Sequence, residues 1–572
     1  MSIVEETASA SSAGGLLERL TREAWDGTLA AQPVFATSIG DRRFDARLAD
    51  NSPEARAAER TRLTLLLERA GAIPEAELDK GDAVTRTAFL AFLEAELDLV
   101  SADLDRWTID PLEGPQVAFL NIPSFQPVET PADRDHLVDR WRAMGPFVDR
   151  HVENVLGALD DGVVSPEGPI RAVIDELDDL LGQPITESPL VAPAAGEHPN
   201  WSETERGRLA SELESIVTDS IRPAFARYRQ VLVERILPRA RSDERPGLAE
   251  VPSGNDAYPR LIRAHTSLDL SPVSIHAIGL VEVERIDAEL EESAGRALGT
   301  RGRAAAIERL RTDPALHFAS GPEVFATAQA ALDRASAAIP DWFGRLPRAA
   351  CEVVEMGAHE AKHSTVAYYL QPAEDGSRPG RYYLNTSSPE LRPRYEAEAL
   401  AFHEAVPGHH LQIAIAQELD GLPAFRRHSG TTAFIEGWGL YSERLSDEMG
   451  LYSGDLDRIG IASYDGWRAC RLVVDTGMHA FGWSRDRAIA FMLEHTALAP
   501  DNVVNEVDRY ITWPGQALAY KLGQLEIRRL RDEARGRLGA GFDIRRFHDA
   551  VLGQGALPLS TLRAVVEDAL AG

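Results

Sequence analysis

A Pro-Gly step inside a histidine-rich stretch restricts how this chain can fold more than any other feature. Residues 401–412 read Ala-Phe-His-Glu-Ala-Val-Pro-Gly-His-His-Leu-Gln. Proline removes a backbone donor and glycine tolerates unusual dihedrals, so a helix loosens at such a dipeptide. We therefore predict a helix over residues 395–405 that is interrupted at Pro407-Gly408, with imidazoles and a carboxylate on both sides of the interruption.

The residue types in this stretch are those of a zinc site. Imidazoles grouped with a carboxylate suit Zn²⁺, and Glu404 follows His403 as the general base follows the first ligand in the His-Glu-x-x-His motif. Here the fourth residue after His403 is a proline. At 3.6 residues per turn His410 returns near the face of His403, whereas His409 does so only if the helix loosens. The alternative is a histidine pair at a helix end, favoured by the helix dipole.

Length, charge and cysteine content limit the class of protein. The chain has 572 residues and a net charge of −30, which argues against a nucleic acid or an anionic membrane as partner. Its two cysteines, Cys351 and Cys470, cannot form a disulfide framework. The start lacks the basic and apolar regions of a signal peptide, and no run is apolar enough to span a bilayer. We expect a cytoplasmic protein, and a homo-oligomer is compatible with the sequence.

The periodicity is that of a mostly α protein. Apolar residues recur at helical spacing through most of the chain, and a chain of this length needs more than one lobe. We predict a disordered arm at residues 1–15, a helical N-terminal lobe at 16–350 and a metal-binding catalytic lobe at 351–572. The predicted fold is a multi-helical body with a small β-hairpin or sheet beside the active-site cleft.

The hairpin is predicted at residues 365–370 and 380–386, which are rich in aromatic and β-branched residues and flank a Pro/Glu/Asp/Gly/Ser loop. It is either a small structural sheet or an edge that pairs with an extended peptide by β-augmentation. In the second case Tyr383 and Asn385 are candidate substrate-binding residues.

A third ligand is expected from residues 434–443, because two histidines do not complete a catalytic zinc site. Glu436 lies among apolar residues, where an unpaired carboxylate is costly without a cation nearby. Glu443, seven residues later, shares its helix face and could orient a histidine. Gly437 and Gly439 mark a close approach of another helix or a ligand. The alternative is that Glu436 and Glu443 form ordinary surface ion pairs.

Further polar residues recur every three or four positions along one helix face, at Arg468, Arg471, Asp475 and His479. The face could be solvated or could hold buried ion pairs. In a metalloamidase, His479 could stabilise the oxyanion, Arg471 could bind a substrate anion and Asp475 could support the site.

A second polar group follows at Gln516, Tyr520 and Lys521. Tyr520 is the other oxyanion candidate, whereas Lys521 and Gln516 are candidates for substrate binding. A solvated helix face would produce the same spacing.

These stretches resemble the proteins called domain of unknown function 885, which look like gluzincin-type metallopeptidases. The similarity runs nearly end to end and includes the stretch at 382–386. Its other motifs are residues 403–412, 436–443, 471–479 and 513–521. The resemblance implies a mostly α, zinc-dependent hydrolase with a long cleft. It also implies that the histidine directly after Pro-Gly is the ligand, which favours His409 and leaves His410 as the fallback.

The resulting hypothesis is one Zn²⁺ held by His403, His409 and Glu436, with Glu404 as general base and a short peptide or small amide as substrate. Two alternatives remain. Two histidines and one carboxylate also describe non-haem iron enzymes, although Glu404 would then have no role. The chain could also be a non-catalytic peptide-binding relative.

Overall fold

The computed structural model describes residues 12–196, 201–357, 361, 366–373, 376 and 378–571. Most of these residues are helical, and one small sheet lies among the helices. The mostly α class is therefore confirmed. Among the described residues no helix combines the length and the apolar character that crossing a membrane requires.

The first helix begins at Ala13, with Ser12 as its N-cap, earlier than the predicted start at Leu16. Most of the predicted arm lies outside the described residues. The α-helices, numbered in chain order, are α1 Ala13–Ala31, α2 Pro33–Ser38, α3 Pro53–Gly71, α4 Lys80–Ala102, α5 Leu104–Trp107, α6 Pro115–Asn121, α7 Pro131–Asp160, α8 Glu167–Gly182, α9 Glu203–Ile216, α10 Arg222–Val231, α11 Gly254–Thr266, α12 Pro272–Leu298, α13 Arg303–Thr312, α14 Gly321–Ala338, α15 Ala397–Glu404, α16 His409–Gln417, α17 Ala424–His428, α18 Thr432–Glu448, α19 Asp455–Phe481, α20 Arg485–His495, α21 Pro500–Thr512, α22 Ala519–Leu538, α23 Ile544–Leu552 and α24 Leu559–Ala569.

Local sequence signals account for several helix starts. Thr130 and Asp133 form a capping box at the start of α7, with Pro131 at its first position. Ser202 and Glu205 do the same for α9. In each pair the side chains satisfy backbone N–H groups that have no partner within the helix.

The largest hydrophobic core contains residues from the whole length of the chain, from Leu17 through Phe89 and Val353 to Leu570. A second core is confined to residues between Ile109 and Ile236. The largest core contains side chains from both sides of residue 350. The division into two lobes at that residue stays a prediction.

The sheet has three strands, β1 Cys351–Glu355, β2 Ala367–Leu370 and β3 Gly380–Leu384, in the order β1-β3-β2. β2 and β3 form the predicted antiparallel pair, and β1, which was not predicted, runs parallel to β3. The sheet lies against α16, because Tyr369 of β2 is 2.9 Å from a ring nitrogen of His410.

Two close helix pairs position the elements that carry the candidate residues. α18 and α22 meet at glycines: a Cβ on Gly437 would lie 2.5 Å from the Gly523 backbone, and one on Gly523 would lie 1.8 Å from the Ala433 carbonyl oxygen. α12 and α19 approach at Gly279, whose Cβ would lie 2.7 Å from that of Leu472. Small residues at these points let the backbones touch, as predicted for Gly437.

Candidate metal centre

The Pro-Gly interruption separates two short helices. α15 ends at Glu404, and α16 begins at His409. Between them the chain turns so tightly that a Cβ on Gly408 would lie 1.9 Å from the His403 carbonyl oxygen. The Trp438 indole N–H of α18 donates to the Pro407 carbonyl at 2.9 Å. Glycine is therefore required at 408, and α18 holds the turn in place.

The turn brings His403 and His409 together with Glu436 of α18, and their ligand atoms all lie within 4.8 Å of one another. Glu436 Oε2 is 3.7 Å from His403 Nε2 and 3.6 Å from His409 Nε2. Both distances exceed the length of a hydrogen bond. They are close to the edge of about 3.3 Å expected for a tetrahedron with zinc–ligand bonds of about 2.0–2.1 Å. The donor set and its spacing fit a zinc ion.

Glu443 orients the first imidazole. Its Oε1 is 2.8 Å from His403 Nδ1, and its side chain is fully buried. A carboxylate on the second nitrogen fixes the tautomer of a metal-binding histidine and makes it a better ligand. The second ring nitrogen of His409, by contrast, has no hydrogen-bond partner in the described structure.

The histidines and carboxylates of the candidate metal centre shift each other's pKa values. Burial opposes protonation of His403, but the carboxylates of Glu436, Glu443 and Glu404 outweigh it and raise its pKa to about 9. Burial likewise opposes ionisation of Glu436, but His403 and His409 hold its pKa well below the usual range. Without a metal the centre therefore keeps a proton on His403 at neutral pH, and a divalent cation would take the place of that proton.

His410, the fallback ligand, points the other way. Its Nε2 donates to the Ala349 carbonyl at 3.0 Å, and its Nδ1 accepts from the Tyr369 hydroxyl at 2.9 Å. Both nitrogens are thus used against the sheet, so the fallback is wrong. The helical-wheel argument failed because it assumed one continuous helix.

Gly439 leaves room for the His403 ring. A Cβ at 439 would lie 2.7 Å from Cε1 and 2.8 Å from Nε2 of that ring. We expect Gly439→Ala to displace His403, weaken zinc binding and cost about 1–3 kcal/mol of unfolding free energy through overpacking. Competition with a zinc chelator and urea denaturation measure the two effects. Gly536→Ala, in an open part of α22, should instead gain up to about 1 kcal/mol; equal effects of the two substitutions would contradict this role of Gly439.

Glu404 follows the candidate ligand His403 directly and is the last residue of α15. Its side chain is half-buried, and its carboxylate has no hydrogen bond or ion pair with any described residue. Its charge acts on the His403 ring and on the Tyr382 hydroxyl of β3. A carboxylate held near a metal centre without a partner of its own is free to accept a proton.

The hydroxyl of Tyr520, the predicted oxyanion donor, is influenced by Glu436 of the candidate metal centre. Burial raises the pKa of its hydroxyl, the Glu436 carboxylate raises it further, and the Arg471 and Arg509 guanidiniums oppose both effects. The phenol therefore keeps its proton and can donate a hydrogen bond. Gln516 acts on the same hydroxyl and accepts from Arg509 at 2.9 Å; its role in substrate binding stays a prediction.

Arg471 lies against the Tyr520 ring, with its guanidinium carbon 4.2 Å from the ring centre. It also pairs with Glu506 at 3.1 Å and donates to the Tyr510 hydroxyl at 2.9 Å. The structure thus places the predicted anion-binding arginine next to the predicted oxyanion donor.

Two candidates on α19 have packing roles instead. His479 Nδ1 accepts from the Leu248 N–H at 3.0 Å and Nε2 donates to the Tyr510 carbonyl at 2.8 Å, so neither nitrogen is free for an oxyanion. Asp475 accepts from the Tyr258 hydroxyl and from the Gly515 N–H. It therefore holds the turn before Gln516 and does not orient a metal ligand. Both expected roles are wrong.

The predicted role of Lys521 in substrate binding is also wrong. It is fully buried and pairs with Asp465 and Glu282, at 2.9 Å in the second case. Asp465 also pairs with Arg444, so these charges join α12, α18, α19 and α22. A lysine fully buried between two carboxylates is not available to a substrate.

The two sheet candidates differ. The Asn385 amide donates to the Ala361 carbonyl at 2.7 Å, and its oxygen accepts from the Ser387 N–H at 3.1 Å. Asn385 is thus committed to the local loop and not to a substrate. Tyr383 stacks on Tyr368 across the strands, with ring centres 4.9 Å apart; its role in substrate binding stays a prediction.

Two residues without a predicted role, Tyr382 and Arg468, are buried close to the candidate residues. Tyr382 is fully buried, its hydroxyl has no hydrogen-bond partner in the described residues, and it senses the charge of Glu404. Arg468 is buried against Tyr464 and Trp467. The aromatic residues one and four positions before Arg468 were the available signal, because a solvated arginine needs no such neighbours.

Two solved structures share the fold. One is described as "the putative lipoprotein from Colwellia psychrerythraea"; it is 26% identical, with a TM-score of 0.92 over 98% of this chain and 99% of that one. The other, "a putative lipoprotein of unknown function from Shewanella oneidensis", is 16% identical, with a TM-score of 0.70 over 96% of this chain and 99% of that one.

None of the curated proteins compared with the chain matches it. A family model described as "Bacterial protein of unknown function (DUF885)" matches residues 33–566. This match includes all the residues of the candidate metal centre. The chain therefore belongs to the DUF885 family.

Proposed function

We propose that this protein is a gluzincin-like, zinc-dependent hydrolase that cleaves amide bonds of short peptides or of peptide-like small molecules. The observation that carries the proposal is the convergence of His403, His409 and Glu436, with Glu443 on the far nitrogen of the first histidine. Glu404, whose carboxylate has no partner among the described residues, follows His403 and acts on its charge. If these residues formed only stabilising ion pairs, a Glu404 carboxylate without a partner among the described residues would have no explanation.

Each residue of the site then has a chemical task. A bound zinc ion supplies a Lewis acid that polarises the amide carbonyl and activates water. Glu404 accepts the proton of the attacking water and passes it to the leaving amine. The Tyr520 hydroxyl, which stays protonated, donates to the oxygen on which negative charge develops. Glu443 keeps the His403 ring oriented throughout.

Metal removal tests the proposal directly. We expect the purified protein to hold one Zn²⁺ per chain and to cleave members of a short-peptide library, read by mass spectrometry. Chelation should abolish cleavage, and added zinc should restore it. Cleavage that persists after metal analysis has verified metal loss would contradict the proposal.

The same experiment separates the alternatives. Iron as the resident metal, with no cleavage, would favour a non-haem iron enzyme, which uses the same three ligand types. Zinc with peptide binding and no cleavage would favour a non-catalytic relative. The cytoplasmic location stays a prediction, and the descriptions of the two similar structures as lipoproteins do not support it.

A further inference from the structure

Two arginines of α19 have buried guanidinium nitrogens that the described part of the chain leaves without acceptors. Arg468 is 5% exposed, and its Nε and one terminal nitrogen have no hydrogen-bond partner. Arg471 is 3% exposed, and one of its terminal nitrogens has none. Buried charged groups are normally paired and hydrogen-bonded. These N–H groups are therefore available to an anion that comes from outside the protein.

Aromatic rings hold both guanidiniums in position. The Arg468 guanidinium carbon is 4.5 Å from the centre of the Tyr464 ring and 4.2 Å from that of Trp467. The Arg471 carbon is 4.5 Å from Trp467 and 4.2 Å from Tyr520. Cation–π contact uses the flat face of a guanidinium. The N–H groups at its edge stay free, and they are the groups that bind carboxylates in pairs.

Tyr520 connects these arginines to the metal centre. Its ring contacts Arg471, lies 6.0 Å from the Arg468 guanidinium carbon, and its hydroxyl senses the charge of Glu436. The same side chain thus contacts Arg471 and interacts electrostatically with a candidate zinc ligand. An anion bound here would belong to the molecule on which the metal centre acts.

The charges around the arginines favour an anion. Glu506 pairs with Arg471 at 3.1 Å and with Arg509 at 2.9 Å, so one carboxylate serves two guanidiniums. Glu396 acts electrostatically on Arg468, but burial raises the pKa of Glu396 to about 7. It also accepts a hydrogen bond from Ser463 at 2.6 Å. Arg471 and Arg509 therefore share one carboxylate, and burial opposes ionisation of the carboxyl group that acts on Arg468.

We propose that Arg468, supported by Arg471, binds the free C-terminal carboxylate of the substrate, so that the enzyme cleaves short peptides close to that end. This inference rests on the proposed amide hydrolysis and specifies its substrate class. A peptide whose C-terminus is blocked as an amide presents no carboxylate to the guanidinium edge, and it is a poor substrate.

Paired peptides of one sequence, with a free or an amidated C-terminus, test the inference in the unmodified zinc-loaded protein. We expect kcat/KM to be about 10- to 100-fold higher for the free acid, the range for a hydrogen bond to a charged group. Arg468→Gln should raise KM for the free acid and remove most of this preference, with unchanged zinc content. Arg468→Lys should keep part of it, and Arg458→Gln, on the surface of the same helix, should keep all of it.

A binding measurement keeps this test independent of turnover. The zinc-loaded Glu404→Gln protein is titrated calorimetrically with both peptides, and tighter binding of the free acid supports the inference. Equal binding and equal cleavage of the two peptides would overturn it and leave amide hydrolysis intact. Cleavage that requires a free N-terminus but is indifferent to amidation of the C-terminus would overturn it as well. Should Arg468→Gln fail to fold, the peptide pair on the unmodified protein decides.

Discussion

Glu404→Gln should lower peptide cleavage by about 10²- to 10⁴-fold, the usual contribution of a general acid–base residue. Glutamine keeps the shape of the side chain but cannot accept the water proton. Because Glu404 is not among the three converging ligands, zinc should stay bound. Steady-state kinetics on a peptide from the library, together with metal analysis of the same preparation, measures both quantities.

A matched variant shows that the loss is specific to this carboxylate. Glu418→Gln changes an acid at the end of α16 that pairs with Arg348 at 3.0 Å, and it should cleave peptides at the rate of the unmodified protein. Undiminished cleavage by zinc-loaded Glu404→Gln would remove Glu404 from the reaction. Loss of zinc together with activity would mean that Glu404 is a ligand and not the base.

His409→Gln should weaken zinc binding by more than the roughly 10- to 100-fold typical of groups that only orient a ligand. His409 contributes one of the three converging donor atoms, whereas the ring nitrogens of His410 are bonded to Ala349 and Tyr369. Competition with a fluorescent zinc chelator measures the affinity, and activity should fall in parallel.

His410→Gln is the matched control, since it makes the same substitution one residue away. Glutamine offers both a donor and an acceptor, so it can replace much of the contact with Ala349 and Tyr369. We expect unfolding free energy to fall by about 0.5–1.5 kcal/mol and zinc affinity to be kept. Zinc loss in this variant with retention in His409→Gln would reverse the assignment.

The sequence allowed the helical class, the hairpin and the interruption at Pro407-Gly408 to be predicted, because each depends on local composition. Which histidine faces Glu436 was not predictable from spacing. α15 stops at Glu404 and α16 starts again at His409 in a new direction, so a continuous helical wheel gives the wrong face. The predicted loosening at Pro407-Gly408 left both histidines possible, and the family resemblance favoured His409.

The downstream polar residues were harder to predict for a different reason. Lys521 and His479 recur at helical spacing whether their partners are solvent, substrate or another helix. Their partners, Asp465 and the backbone of Leu248 and Tyr510, come from distant segments. Strand β1 was missed similarly, since its partner β3 follows only after an intervening segment.

The glycine contact between α18 and α22 has a mechanical consequence. With Gly437 and Gly523 backbone to backbone, a side chain at either position would force the two helices apart. Glu436 and Tyr520 each lie within three residues of that contact, so a side chain added at either glycine would change the spacing between the Glu436 carboxylate and the Tyr520 hydroxyl.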